Sequence, residues 1–297
     1  MKFVPMFNGQ RTIQLFIVLL ICRLSTAGAT EAPLPVFVSI LPQAGFVAEI
    51  GGPLVDVQVL VGPGHSPATY EPTPRQMVAL SQARVFFCAG VPFERGLLPK
   101  VAGLPKAPII AGRRAVGPAS EHGHHHHADE LDPHFWLDPI QAIAMTDTIC
   151  LRLSQFMPAA AADFRSRRDI IKARLTKLDL EIQQTMAPFI GAEFFVFHPA
   201  YGHFAQRYGL VQVAVEAGGH EPGARQLVTV IEQAKAAGAK VIVVQPQFSR
   251  RSASSVAKAV GAEILVLNPL AKDYESNLRH IAAELASALA SAARTDQ

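Results

Sequence analysis

The chain alternates short apolar runs with longer stretches of helical periodicity. Val36–Ile40, Val55–Val61, Val85–Cys88 and Pro108–Ala111 form one series, with turns marked by Gly51-Gly52-Pro53 and Gly62-Pro63-Gly64. A second series follows in the last third: Glu193–Phe197, Val211–Val215, Lys240–Val244 and Glu263–Leu267. β-Branched and aromatic runs separated by helix-length segments predict parallel sheets covered by helices on both faces. Between the two series, residues 139–187 read as helical. From Phe164 onward the apolar positions Ile171, Leu175, Leu178, Ile182 and Met186 recur every three or four residues, which is one face of a helix. Pro158 is expected to begin or kink that segment. The predicted fold class is α/β, with two lobes built on parallel β-sheets flanked by helices and joined by a long linking helix. The lobes are placed at 30–138 and 191–297, with the linking helical region at 139–190.

The amino terminus and the charge balance refine this picture. Lys2 and Arg11 precede the apolar run Leu15–Cys22, and the small residues Ser25-Thr26-Ala27-Gly28-Ala29 follow. That order is a secretory signal peptide over 1–29, and the run falls well below the ~20 residues of a membrane span. Cys22 raises lipidation, but the bulky Ile21 before it favours a soluble periplasmic product over a lipid anchor. The formal charge of +3 resides in that segment, because the rest of the chain carries 24 basic and 24 acidic residues. A neutral body gives no reason to expect nucleic acid as a partner. Cys88 and Cys150 lie in apolar surroundings and read as buried residues rather than ligands, with a disulfide between them left open.

Histidine carries the chemistry. Residues 121–130 hold His122, His124, His125, His126 and His127 beside acidic neighbours, a loop that binds transition metals in many overlapping ways but fixes no single geometry. Three other histidines have defined addresses. His65 follows a strand in a loop stiffened by glycine and proline, and His134 lies beside the only tryptophan, just before the helical region. His198 directly follows the apolar strand Phe194–Phe197. In open α/β sheets ligands bind at the carboxyl ends of strands, so a site converging on neutral imidazoles from separate segments is within reach.

Four motifs sharpen the reading. Tyr70-Glu71-Pro72-Thr73-Pro74, Asp132-Pro133-His134-Phe135-Trp136-Leu137-Asp138-Pro139, Phe197-His198-Pro199-Ala200-Tyr201-Gly202-His203-Phe204 and Gln245-Pro246-Gln247-Phe248 resemble, in order, the zinc and manganese solute-binding proteins of ABC importers. The likeness runs from about Val36 to Leu285 and is nearest the zinc-uptake type (cluster A-I). It implies His134 and His198 as metal ligands from the two lobes. The family's first ligand stands two residues before Tyr-Glu-Pro, where this chain has Ala68, so His65 is expected to take over. The family's aspartate in Asp-Pro-Leu is replaced in Asn268-Pro269-Leu270, which leaves Asn268 or Glu216 as the candidate fourth ligand. His203 and Glu71 are candidates for holding the ligands in place.

The resemblance implies a periplasmic, high-affinity zinc-binding protein, not an enzyme. It would be a monomer that captures Zn²⁺ in an interlobe cleft and delivers it to an ABC transporter permease. A set of imidazoles favours Zn²⁺ over the harder Mn²⁺. Two other readings stand beside it: a metal buffer or chaperone working through the His-rich loop, and a secreted zinc hydrolase with water on an open coordination position. Against the hydrolase, the chain has no His-Glu-x-x-His helix and no glycine-flanked serine nucleophile.

Overall fold

Two four-stranded parallel sheets, each with helical connections, organise the chain. The structure is a computed structural model that describes residues 1, 32–112, 132–214, 224–236, 238–247, 254 and 257–295. The first sheet contains β1 (Leu34–Ile40), β2 (Val55–Val61), β3 (Val85–Cys88) and β4 (Ile109–Gly112) in the order β2-β1-β3-β4. The second contains β5 (Glu193–Val196), β6 (Val211–Ala214), β7 (Val241–Val244) and β8 (Glu263–Val266) in the order β6-β5-β7-β8. Every pairing is parallel. Central strands buried on both faces need apolar residues throughout, which is why β3 reads Val-Phe-Phe-Cys and is buried along its whole length. Edge strand β2 alternates instead, exposing Asp56 and Gln58.

The helices start where the sequence chemistry dictates. In the first lobe α1 (Leu41–Gly51), α2 (Pro74–Leu80) and α3 (Glu94–Ala102) connect the strands. Thr73 caps α2 through the Gln76 N–H, with Pro74 at the first turn. Asp138 caps α4 (Pro139–Phe156) by accepting from the N–H groups of Ile140 and Gln141. Pro158 ends that helix, and α5 (Ala161–Met186) follows after a short 3₁₀ turn. The apolar stripe read from the sequence is the buried face of α5: Phe164, Ile171, Leu175, Leu178, Ile182 and Met186 are all inaccessible to solvent.

At 26 residues, α5 is about 39 Å long. It packs against α1, α4 and the carboxyl-terminal α8 (Tyr274–Thr295). Arg174, near its middle, bonds Glu49 on α1 at 2.7 Å and Glu275 on α8 at 2.9 Å. One side chain of the linking helix therefore holds elements that flank both sheets. The second lobe adds α6 (Gly202–Tyr208) and α7 (Ala224–Ala236). Cys88 and Cys150 are both buried and free. No helix among the described residues is long and apolar enough to cross a membrane.

Candidate metal centre

In the second sheet the strand order reverses between β5 and β7, and the crevice at their carboxyl ends is where an open α/β sheet offers a binding site. His198 lies just past β5, and Gln245 and Gln247 lie just past β7. Together with His134, Ser66, Pro67, Pro269 and Leu270 they line a cavity of about 20 Å³. That volume suits one ion or one water molecule.

Each wall is fixed from behind. The His198 carbonyl accepts from the Ala200 N–H at 2.7 Å and from Gln245 Nε2 at 2.7 Å, which ties the turn after β5 to the end of β7. His134 sits at the head of a buried 3₁₀ turn, Phe135–Leu137. Trp136 anchors this turn by donating from Nε1 to the Pro269 carbonyl at 2.8 Å, while the Tyr274 hydroxyl donates to the Trp136 carbonyl at 2.5 Å. On the facing loop, Asn268 Oδ1 accepts from Gln247 Nε2 and from the Leu270 N–H, each at 3.0 Å.

Asp132 orients the His134 ring. Its Oδ1 accepts from the His134 backbone N–H at 2.9 Å and from the ring Nδ1 at 2.7 Å. With Nδ1–H committed to a carboxylate, Nε2 carries the lone pair a cation needs. Burial would push the Asp132 carboxyl up, but its attraction and hydrogen bonds to His134, with a further contribution from His203, outweigh that and hold it below the usual range. His203 is buried behind this pair. Its Nε2 donates to the Asp132 carbonyl at 3.1 Å, and its Nδ1 accepts from Gln141 Nε2 at 2.8 Å.

The two imidazoles of the cavity meet edge-on, with ring centroids 5.3 Å apart. Two histidines sharing one tetrahedral zinc, with Zn–N bonds of about 2.0–2.1 Å, have centroids ~5.2 Å apart. The observed spacing is compatible with a shared ion. No carboxylate, Lys or Arg side chain lines the cavity among the described residues, so its side-chain donors are imidazole nitrogens, amide oxygens and the Ser66 hydroxyl.

Of the residues singled out from the sequence, the fold brings His134 and His198 together. His65 is exposed, its ring edge-on to Tyr70 at 5.7 Å, and its loop instead presents Ser66 and Pro67 to the cavity. Glu71 is also exposed. Asn268 is next to the cavity but spends its amide oxygen on the two bonds above. Glu216 and the histidines at 122 and 124–127 lie outside the described residues, as does the segment 2–31. Among the described residues no three His, Cys, Asp or Glu side chains form a metal-binding group. Sequence reasoning missed Asp132, Gln245 and Gln247. The signal for Asp132 was its place two residues before His134, and the signal for the glutamines was a β-run ending directly in Gln245-Pro246-Gln247.

Comparison with known proteins places this geometry in context. Residues 36–288 match the family model described as zinc-uptake complex component A, periplasmic (ZnuA). The zinc-binding lipoprotein AdcA of Streptococcus pneumoniae (strain ATCC BAA-255 / R6) is 26% identical over 253 residues, covering 81% of this chain and 50% of that protein. The chain thus spans about half the length of the AdcA relatives it matches. A crystal structure of a ZnuA is 33% identical and superposes with a TM-score of 0.75, covering 86% of this chain and 98% of that one. The periplasmic zinc-binding protein TroA of Treponema pallidum shares the fold at 18% identity with a TM-score of 0.76, over 86% of this chain and 99% of that one. The family comprises metal-binding components of transport systems rather than enzymes. This chain belongs to the ZnuA family of solute-binding proteins of metal ABC importers.

Proposed function

We propose that this protein binds Zn²⁺ with high affinity in the periplasm, captures it between the two lobes and delivers it to an ABC-type permease. The observation that carries the reading is the pair His134 and His198, spaced for one tetrahedral ion in a cavity of single-ion size. The zinc-binding names of the relatives and the zinc-bound form of a ZnuA structure support the choice of metal. A neutral nitrogen set ranks Zn²⁺ above Mn²⁺. His65 completes the site as third ligand when its loop reorders, and the position of Ser66 and Pro67 on the cavity wall supports this short approach. Glu216 is a candidate for the fourth position, and Asn268 would serve there only by giving up its bonds to Gln247 and Leu270. His203 holds the Asp132–His134 pair from behind. The His-rich loop collects zinc near the cleft through effective concentration and binds it more weakly. The apolar run after Lys2 and Arg11 supports export, and the protein is expected to act as a monomer.

Zinc titration against a chromophoric chelator tests the proposal on three proteins. Wild type and a variant lacking residues 122–127 are expected to keep one tight site, and His198→Ala is expected to lose it. Tight binding that survives His198→Ala would refute the cleft site. Loss of tight binding on deletion of 122–127 would instead establish the buffer reading, in which the loop is the main element.

A further inference from the structure

The two lobes use the same device at the same place with one difference. At the switch point of the first sheet, Gln43 at the start of α1 donates from Nε2 to the Cys88 carbonyl at 3.0 Å, linking the ends of β1 and β3. Its Oε1 is saturated by the N–H groups of Ser39 and Ile40 at 3.0 and 3.3 Å. Glu94 is buried beside these strand ends, where it accepts from Ser39 Oγ and from the N–H groups of Ala89 and Gly90. In the second sheet, Gln245 links the ends of β7 and β5 in the same way, through Nε2 to the His198 carbonyl. A carbonyl only accepts, so the amide can take only one orientation, and Oε1 must point away from it. That oxygen is buried in a residue only 1% exposed, and it has no hydrogen-bond partner among the described residues. Gln245 also lines the cavity that contains His134 and His198.

A buried amide oxygen without a partner costs stability, and in native structures it calls for an explanation, of which a bound ion is one. We infer that Gln245 is part of the cation site, its Oε1 supplying a neutral oxygen to the bound ion while its Nε2 holds the His198 backbone. This rests on the cleft between His134 and His198 being the metal site. Gln245 is then a residue that sets which metal is held: an oxygen at this position adds hard character to an otherwise soft nitrogen set without adding charge.

The test compares Gln245→Leu and Gln245→Glu with wild type and His198→Ala, titrating Zn²⁺ and Mn²⁺ separately into the full-length protein. Gln245→Leu removes the oxygen and is expected to weaken zinc about ten- to hundredfold, the range typical of losing a supporting group at a metal site. Gln245→Glu places a negative oxygen toward the ion. It is expected to raise Mn²⁺ affinity relative to Zn²⁺ by about tenfold or more, in keeping with the preference of hard ions for carboxylate. A purely structural role predicts otherwise, because both variants lose the bond to the His198 carbonyl. The two would then weaken zinc equally and leave the Zn²⁺/Mn²⁺ ratio unchanged, which would overturn the inference. Wild-type zinc affinity in Gln245→Leu would overturn it as well. If His198→Ala also retains tight zinc, the cleft reading has failed; if His198→Ala alone abolishes binding, only the role of Gln245 has.

Discussion

Gly202→Ala should weaken zinc binding without unfolding the protein. A Cβ at position 202 would stand 2.5 Å from Asp132 Oδ2. An unstrained carbon–oxygen contact is closer to ~3.5 Å, so the carboxylate must retreat by most of an ångström. Its freedom to do so is small, because the other oxygen is held by both the backbone and the ring of His134. Lengthening the 2.7 Å Nδ1–carboxylate bond by that amount ends it as a hydrogen bond. Bonds to charged groups contribute about 1.5–3 kcal/mol, and each 1.4 kcal/mol is a factor of ten in affinity. Zinc affinity should therefore fall roughly ten- to hundredfold, the range seen when outer partners of metal-bound histidines are removed. Helix propensity acts in the opposite direction, since alanine is favoured over glycine in a helix by up to about 1 kcal/mol. The broken bond outweighs that gain, so the melting temperature of the metal-free protein should also fall modestly, with the fold retained. Competitive zinc titration and melting curves measure the two effects. The decisive control is Asp132→Ala, which removes the obstacle: in that background Gly202→Ala should cost almost no further affinity. Equal losses in both backgrounds, or no loss in the single variant, would refute the steric chain from Gly202 through Asp132 to His134.

Trp136→Phe deletes the donor to the Pro269 carbonyl and leaves that buried acceptor unpaired. It should cost about 1–3 kcal/mol in urea unfolding followed by circular dichroism. Glu94 gives stability a definite pH slope. Burial raises its carboxyl above the ordinary 4.5 despite bonds from Ser39, Ala89 and Gly90 that act the other way. The folded state then holds more protons than the unfolded state from about pH 4.5 up to the raised value, so stability declines as pH climbs through that window. Denaturation across pH 4–8 should show the decline, and Gln at position 94 should flatten it whatever its effect on absolute stability. Small-angle scattering should give the same radius of gyration with and without zinc, whereas wide lobe closure would shrink it measurably.

The fold was legible because its signals are local and redundant. β1 to β8 lie where the apolar runs lie, differing by one or two residues at the ends, and the Ile171–Met186 stripe faces the core as its spacing required. The site was legible only in part. His198 stood out because it directly follows an apolar strand, and His134 because it lies beside the only tryptophan in one of the four family-like motifs. The role inferred for Gln245 was hidden because it depends on β7 pairing with β5, and strand order is not written in any local pattern. His65 shows the complementary difficulty. Its sequence neighbours Ser66 and Pro67 line the cavity, but its own ring meets Tyr70 edge-on, and Tyr70 in turn packs on Phe93 at 5.4 Å. Which way a loop histidine turns depends on such ring contacts, and they form only after the strands have been assembled.

The same contacts say where this molecule can move. Separating the lobes would break Trp136 to Pro269, Tyr274 to Trp136 and His203 to Asp132, all involving buried side chains. It would also detach Arg174 from Glu49 or Glu275. With each buried bond contributing about 1 kcal/mol net, and more when a partner is left unsatisfied, such opening competes directly with ion binding. The loop after β2 meets much less resistance. Its backbone bonds are His65 N–H to Gly62, Thr69 N–H to Ser66 and Phe93 N–H to Pro67, each 3.3 Å long and therefore weak. Gly64 there adopts φ +78°, which glycine reaches without strain. On the proposed function, capture and release would need only that loop to shift, carrying His65 from Tyr70 to the cavity while the wall of His134, His198 and Gln245 stays in place.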